Sequence, residues 1–229
     1  SSFRPEVHDA QVIAQNRPLG LGDYQKLEQL VDGVAEERLG DLHLKTERFG
    51  RTQANLILLD SPTAPILGSP GGRPFFLTGF QDHTELVEGR WPDPDALTDP
   101  NKQGDIETVL GPEAARKMGY DVGDRIFLIP RRGSSERITF KVVGLAEPID
   151  YREEYWMGAP IYFDLRAVGE SVIVPLFVTE DDYFQGIGER YPTLVGDFGF
   201  YLFLDSEFLT AGNANQVKDQ ILGLETDVN

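Results

Sequence analysis

The sequence predicts an α+β fold on three observations. Leu27, Leu30, Val31 and Val34 recur at helical spacing after Asp23. Two strand-like segments follow, Leu42 to Phe49 and Gln53 to Leu59. The stretch from Glu107 to Leu145 then reads as a short helix, a turn and a hairpin.

In chain order, an irregular, proline-bearing start leads to Asp23, which is placed to cap the first helix, with Gly40 at its C-terminal end. Gly50-Arg51 favours a hairpin between the two strand-like segments that follow. Ser61 to Pro74, rich in proline and glycine, reads as a long loop and a domain boundary. Gly111 and Pro112 open the second helix, because proline at the first helical position gives up no useful N–H. Ala114, Ala115 and Met118 form its apolar stripe and Gly119 closes it. In Val122-Gly123-Asp124-Arg125 the glycine supplies a positive φ for a turn. A strand runs from Ile126 to Ile129, stops at Pro130, turns over Arg131 to Glu136 and returns as Ile138, Phe140 and Val142 alternating with Thr139 and Lys141. Ile161 to Leu165, Val172 to Thr179 and Phe198 to Leu204 read as further strands, with a capped helix from Glu180 to about Arg190. The chain finishes in an amphipathic helix near Asn215, with Val217, Ile221 and Leu224 on one side.

Composition narrows the function classes. A net charge of −17 argues against non-specific binding to nucleic acid or anionic lipid, both of which need lysine and arginine to neutralise phosphates. The absence of cysteine excludes disulfides, thiolate metal sites and a cysteine nucleophile. No apolar run approaches the ~20 residues that cross a bilayer; Val172 to Val178 is the longest and contains Pro175. A start at Ser1 without methionine or a leader pattern suggests a piece of a longer protein.

No catalytic, cofactor-binding or metal-ligating set emerges. Asp99 to Glu107 has oxygen side chains at alternate positions like a calcium loop, but Leu110 stands where the closing glutamate belongs and Pro100 fits poorly. A solvated acidic turn is expected there, with at most weak calcium binding. His8, His43 and His83 are too dispersed for a helical metal pair. Asp82-His83 with Glu85 and Glu88 is a thin cluster, and the plainer reading of His83 is a solvated residue of a helix or turn. Gly133-Ser134-Ser135-Glu136 reads as a hairpin tip rather than a nucleophile elbow, and Gly68 to Arg73 lacks the Gly-Lys-Ser/Thr ending of a phosphate loop. The pairs Glu153-Glu154 and Asp181-Asp182 are expected at the surface of so acidic a chain. Tyr151, Tyr155 and Trp156, near Tyr162 and Phe163, form either core or a partner surface, since such side chains dominate both.

Five short motifs in one order carry a resemblance: Gly89-Arg90-Trp91-Pro92, Glu107 to Gly111, Ala114 to Gly119, Val122-Gly123-Asp124 and Phe140 to Gly144. This run resembles the extracytoplasmic core domain of MacB/FtsX-like ABC transporter permeases. Gly89, Arg90, Gly123, Asp124 and Gly144 match the motifs as turn residues that set the fold. The resemblance implies a discontinuous membrane-proximal α+β lobe, residues 1–80 and 191–229, carrying an inserted small β-rich lobe, residues 81–190. It implies a non-catalytic domain on the extracytoplasmic side of a bacterial membrane, which transmits ATP-driven motion or engages a partner there. The implied partners are a second permease chain, a cytoplasmic ATPase subunit, and a lipoprotein, adaptor or cell-wall enzyme, with no cofactor. Two other classes stay open: a solute-binding protein, favoured by a deep interlobe cleft, and a soluble β-barrel enzyme, favoured by carboxylates clustered in one cleft.

Overall fold

In the computed structural model, the first and last described strands of the chain lie side by side. The structure describes residues 9–53, 56–59, 70–93, 96–97, 104–131, 134–156, 163–168, 171–205, 212–213, 215–217, 219–220 and 223. Strand β1 (Asp9–Pro18) runs antiparallel to β11 (Val195–Leu204), which runs antiparallel to β2 (His43–Thr52) on its other side. The remaining strands are β3 (Leu56–Leu59), β4 (Gly71–Leu77), β5 (Thr84–Gly89), β6 (Ile106–Leu110), β7 (Arg125–Ile129), β8 (Ile138–Pro148), β9 (Arg166–Val168) and β10 (Ser171–Phe177). They continue the sheet in the order β1-β11-β2-β4-β3-β7-β8-β6-β10-β9, with β5 added on β8 and β10 also parallel to β4. Among the described residues, the helices α1 (Leu21–Leu39) and α2 (Pro112–Met118) and a π-helix (Asp182–Gly188) pack with it.

Side chains alternate across a strand, so the central strands feed two cores. Phe76 and Leu176 enter one core, which also holds Tyr24, Phe184, Phe198 and Phe200; Phe75 and Phe177 enter the other, with Phe80, Trp156 and Phe163. β11 does the same, sending Phe198, Phe200 and Leu202 one way and Tyr201 and Phe203 the other. Its nearly unbroken apolar run follows from burial on both faces.

The α+β reading and the middle unit agree with this structure, down to Gly111 and Gly119 flanking α2 and a φ of 105° at Gly123. Elsewhere the structure corrects the sequence reading. The irregular start is strand β1: Val12 and Ala14 are buried, but Asn16 takes a φ of 57° and the register shifts between Ala14 and Arg17, which breaks the alternation. Helix α1 is capped by the extended backbone of Gly20, and Asp23 lies in its first turn with Lys26 at 3.2 Å. Its buried face runs through Tyr24, Val31, Ala35 and Leu39, which turns Leu30 outward to 43 % exposure. Gly50-Arg51 makes no hairpin. β2 passes straight through Gly50, where a Cβ would lie 2.2 Å from the Phe76 ring, and β2 and β3 each pair with β4.

The proline-glycine stretch is a loop only in name beyond Pro70, because β4 starts at Gly71 and carries Pro74 within it; residues 61–69 lie outside the described set. Gly72 is needed there, since a Cβ would meet Leu128 and Leu176 at 2.6 and 2.7 Å. β5 was not legible as a strand, and the strand expected at Ile161 to Leu165 is instead β9; residues 161–162 are outside the described set. The helix expected after Glu180 is mostly π-helical, with the Thr179 hydroxyl accepting from the Asp182 amide at 3.1 Å. Residues 215–217 and 219–220 are helical with Val217 buried, while Ile221 and Leu224 lie outside the described residues.

Candidate functional site

The motif residues, scattered along the chain, meet on the backbone of β8. Gly89 ends β5 with a φ of 79°, and a Cβ there would lie 2.3 Å from the Val143 carbonyl oxygen; one on Gly144 would lie 2.4 Å from that of Arg90. Two glycines therefore let the chain cross β8 at backbone distance. The Arg90 amide donates to the Val143 carbonyl at 2.8 Å. From the turn before β7, the Gly123 amide donates to Val142 at 2.8 Å, and the Val142 amide returns a bond to Asp124 at 2.9 Å. The Asp124 carboxylate accepts from the Asp121 amide at 2.9 Å.

Over this crossing lies a clamp that sequence reasoning missed. The Arg90 guanidinium donates to both oxygens of buried Glu107, at 2.5 and 2.7 Å, and the Asp93 amide adds a third bond at 2.9 Å. The Glu107 hydrogen bond raises the Arg90 pKa further. With both oxygens engaged, Glu107 is a structural brace rather than an acid or base. Its signal in the sequence is a lone charge in a strand whose five residues are all buried.

The structure separates the three aromatic candidates. Tyr155 and Trp156 are buried, at 3 % and 1 % exposure, whereas Tyr151 is 52 % exposed. The Tyr155 hydroxyl donates to the Thr78 carbonyl at 2.6 Å, its ring stacks on His83 at 3.7 Å, and the Trp156 indole donates to the Asp150 carbonyl at 3.0 Å. Among the described rings, Tyr151 meets the edge of Phe163, at 6.4 Å between centroids. Its phenol pKa is raised by partial burial and by the Asp164, Glu147 and Glu113 carboxylates. Tyr162 lies outside the described residues. His83 is a turn residue, as expected, but half-buried rather than fully solvated. It closes a 3₁₀ turn, Phe80–His83, and its Nδ1 lies 2.5 Å from Glu153 Oε2, not on Glu85 or Glu88. His43 starts β2 with its Nε2 2.8 Å from the Thr46 hydroxyl.

Among the described residues no group of three or more His, Cys, Asp or Glu is arranged to hold a metal. Of the loop Asp99 to Glu107, residues 99–103 lie outside the described set; Asp105 is held by Arg125 at 2.6 Å and Glu107 by Arg90. Asp182, expected at the surface, is fully buried, and among the described residues neither carboxylate oxygen has a partner at hydrogen-bond distance. Burial pushes its pKa up to about 6; Glu107 and Asp181 add to the rise, and Thr179 and Arg190 oppose it. The wide π-helix explains the mistake, because it turns Asp182, Tyr183, Phe184 and Ile187 all inward.

Clefts flank the sheet among the described residues. One, of about 400 Å³, lies between α1 and the end of β1, against Arg17, Tyr24, Leu27 and Phe198. Another, of about 320 Å³, opens at the carboxyl ends of the parallel pair β4 and β10, with Asp82 and Glu180 at its rim. Burial raises the Glu180 pKa and Arg48 opposes the rise.

No family model matches this chain, and no curated protein matches it. Among solved structures, it is similar to a domain of a Porphyromonas gingivalis protein assigned as a permease, at 12 % identity and a TM-score of 0.43, over 100 % of this chain and 85 % of that one. At this level of similarity nothing about activity transfers. Among the described residues, no helix is long and apolar enough to cross a membrane.

Proposed function

We propose that this chain is a non-catalytic extracytoplasmic domain of an ABC transporter permease of the MacB/FtsX-like type. One observation carries the reading: Gly89-Arg90, Glu107, Gly123-Asp124 and Gly144, the residues of the ordered motifs, converge on one crossing of β8. Turn residues that hold one another in place are what a fold-defining motif set requires.

In this reading ATP is hydrolysed on a separate cytoplasmic subunit and a second permease chain completes the pair. The membrane-proximal lobe is residues 1–80 with 191–229, and residues 81–190 form the inserted lobe. The domain passes the motion outward to a lipoprotein, an adaptor or a cell-wall enzyme. Rigidity serves that role better than a reactive pocket, and the occupied carboxylate of Glu107 suits it. The partner surface is centred on Tyr151, with Tyr155 and Trp156 as the buried support behind it.

The test is to read the parent gene on both sides of the chain. Apolar runs of about 20 residues just before Ser1 and soon after Asn229 are the expected result. Flanks with no such run, or with a lone cleavable leader, would overturn the proposal.

A further inference from the structure

Three of the large apolar side chains exposed among the described residues belong to β5 or to the segment that follows its partner strand: Val87 on β5, 52 % exposed, and Ile149 and Tyr151 just past β8, 60 % and 52 % exposed. The Ile149 amide donates to the His83 carbonyl at 3.1 Å, which ties this segment to the start of β5. Among the described residues β5 pairs with β8 alone, and no described strand lies on its other edge, the arrangement that admits a further strand.

The charge around this edge is one-sided. Residues 81–89 hold three carboxylates and no lysine or arginine, and residues 145–156 hold four carboxylates and one arginine, Arg152. Glu85 and Glu147 stand directly opposite each other in the β5–β8 register. Like charges facing across an antiparallel pair are destabilising. A cation laid between them would turn that repulsion into attraction. The bulge between Leu86 and Glu88 leaves Val87 exposed beside these acids, while Leu86 packs toward the core.

We propose that the β5 edge, with Val87, Ile149 and Tyr151 as apolar contacts and Glu85 and Glu147 as the charge signal, docks an extended basic segment of a partner protein as an added strand. Backbone bonds along the edge give register, and alternating basic and apolar side chains give selectivity. The inference rests on the partner-engaging part of the proposed function. It is tested on the isolated chain, so its failure leaves the gene-flank test standing, and flanks without spans leave its own result intact.

The experiment titrates the ¹⁵N-labelled chain with the peptide acetyl-Lys-Val-Lys-Val-Lys-Val-amide, and with a Lys-Gly peptide of equal charge. Expected are amide shifts confined to residues 84–89 and 145–151, and tighter binding of the Lys-Val peptide. The double variant Glu85→Lys/Glu147→Lys should weaken binding about tenfold or more. Glu36→Lys/Glu37→Lys, an equal charge change on the exposed side of α1, should alter it by less than about twofold. Glu147→Lys alone should raise Tm by about 1–3 °C by removing the repulsion. Equal losses in the two double variants, equal binding of the Lys-Gly peptide, no binding, or shifts elsewhere would each overturn the docking assignment. An unchanged or lower Tm for Glu147→Lys would overturn the charge argument beneath it.

Discussion

The region around β1, β11, β2 and β4 and the region around β8 hold together by different means. In the first, rings do the work: Tyr24 packs within 4.7–6.3 Å of Phe184, Phe198, Phe76 and Phe200, and Gly50 leaves room for Phe76 and Phe198 as Gly199 does for Phe49. The second also buries Phe140, Val142 and Val143, and adds backbone turns at Gly89, Gly123 and Gly144 and the ion pairs Arg90–Glu107 and Arg125–Asp105. Ring packing joins residues far apart in the chain. Turn chemistry is written in three or four consecutive residues. The first kind of cohesion is large and diffuse, the second smaller and sited at named atoms.

Four substitutions probe that contrast, from the largest expected effect to the smallest. Phe76→Ala empties a position packed against Tyr24, Tyr183 and Phe184 and should cost about 4 kcal/mol in urea unfolding. Gly89→Ala adds a Cβ against the Val143 carbonyl in a left-handed conformation and should cost about 3 kcal/mol. A loss below about 1 kcal/mol there would show that the crossing is looser than its distances state.

Asp182→Asn tests the buried face of the π-helix, which packs against α1, β4 and β6. The folded-state pKa of this acid is raised above its unfolded value, so the folded state holds the proton more tightly. Its contribution to stability is fully present below about pH 4 and is lost as the pH rises towards about 6. The variant should match the parent near pH 4 and exceed it by about 2 kcal/mol at pH 7. A difference that does not change with pH would remove Asp182 from the balance. Gly123→Ala comes last, at about 1 kcal/mol, because its φ is 105° but, among the described residues, nothing beyond its chain neighbours lies within 4 Å of the added Cβ. Set beside Gly89→Ala, it separates the cost of conformation from the cost of contact.

The same contrast explains what could be read in the chain. α2, the Gly123 turn and the β7–β8 hairpin were legible because each depends on residues a few positions apart. β1 and β5 were not, since a bulge in each interrupts the period-2 pattern that marks a strand. Gly50 read as a turn because only the fold reveals the two rings that require its missing side chain. At the candidate site, the motif glycines could be found but their common target on β8 could not. Tyr151 differs from Tyr155 and Trp156 only in tertiary placement.

The position of β11 between β1 and β2 has a kinetic consequence. Asp9 pairs with Phe203, about 190 residues away, so β1 has no place in the sheet until the far end of the chain arrives. At roughly 5–20 residues per second, synthesis takes about 10–40 s to cover that interval. During that time the short-range contacts of α2, β7 and β8 can close, while β2 and β4 wait with an open edge. Pulse-labelled hydrogen exchange during refolding should accordingly protect the β8 amides first and the β1 amides last; the reverse order would place the nucleus among the chain ends.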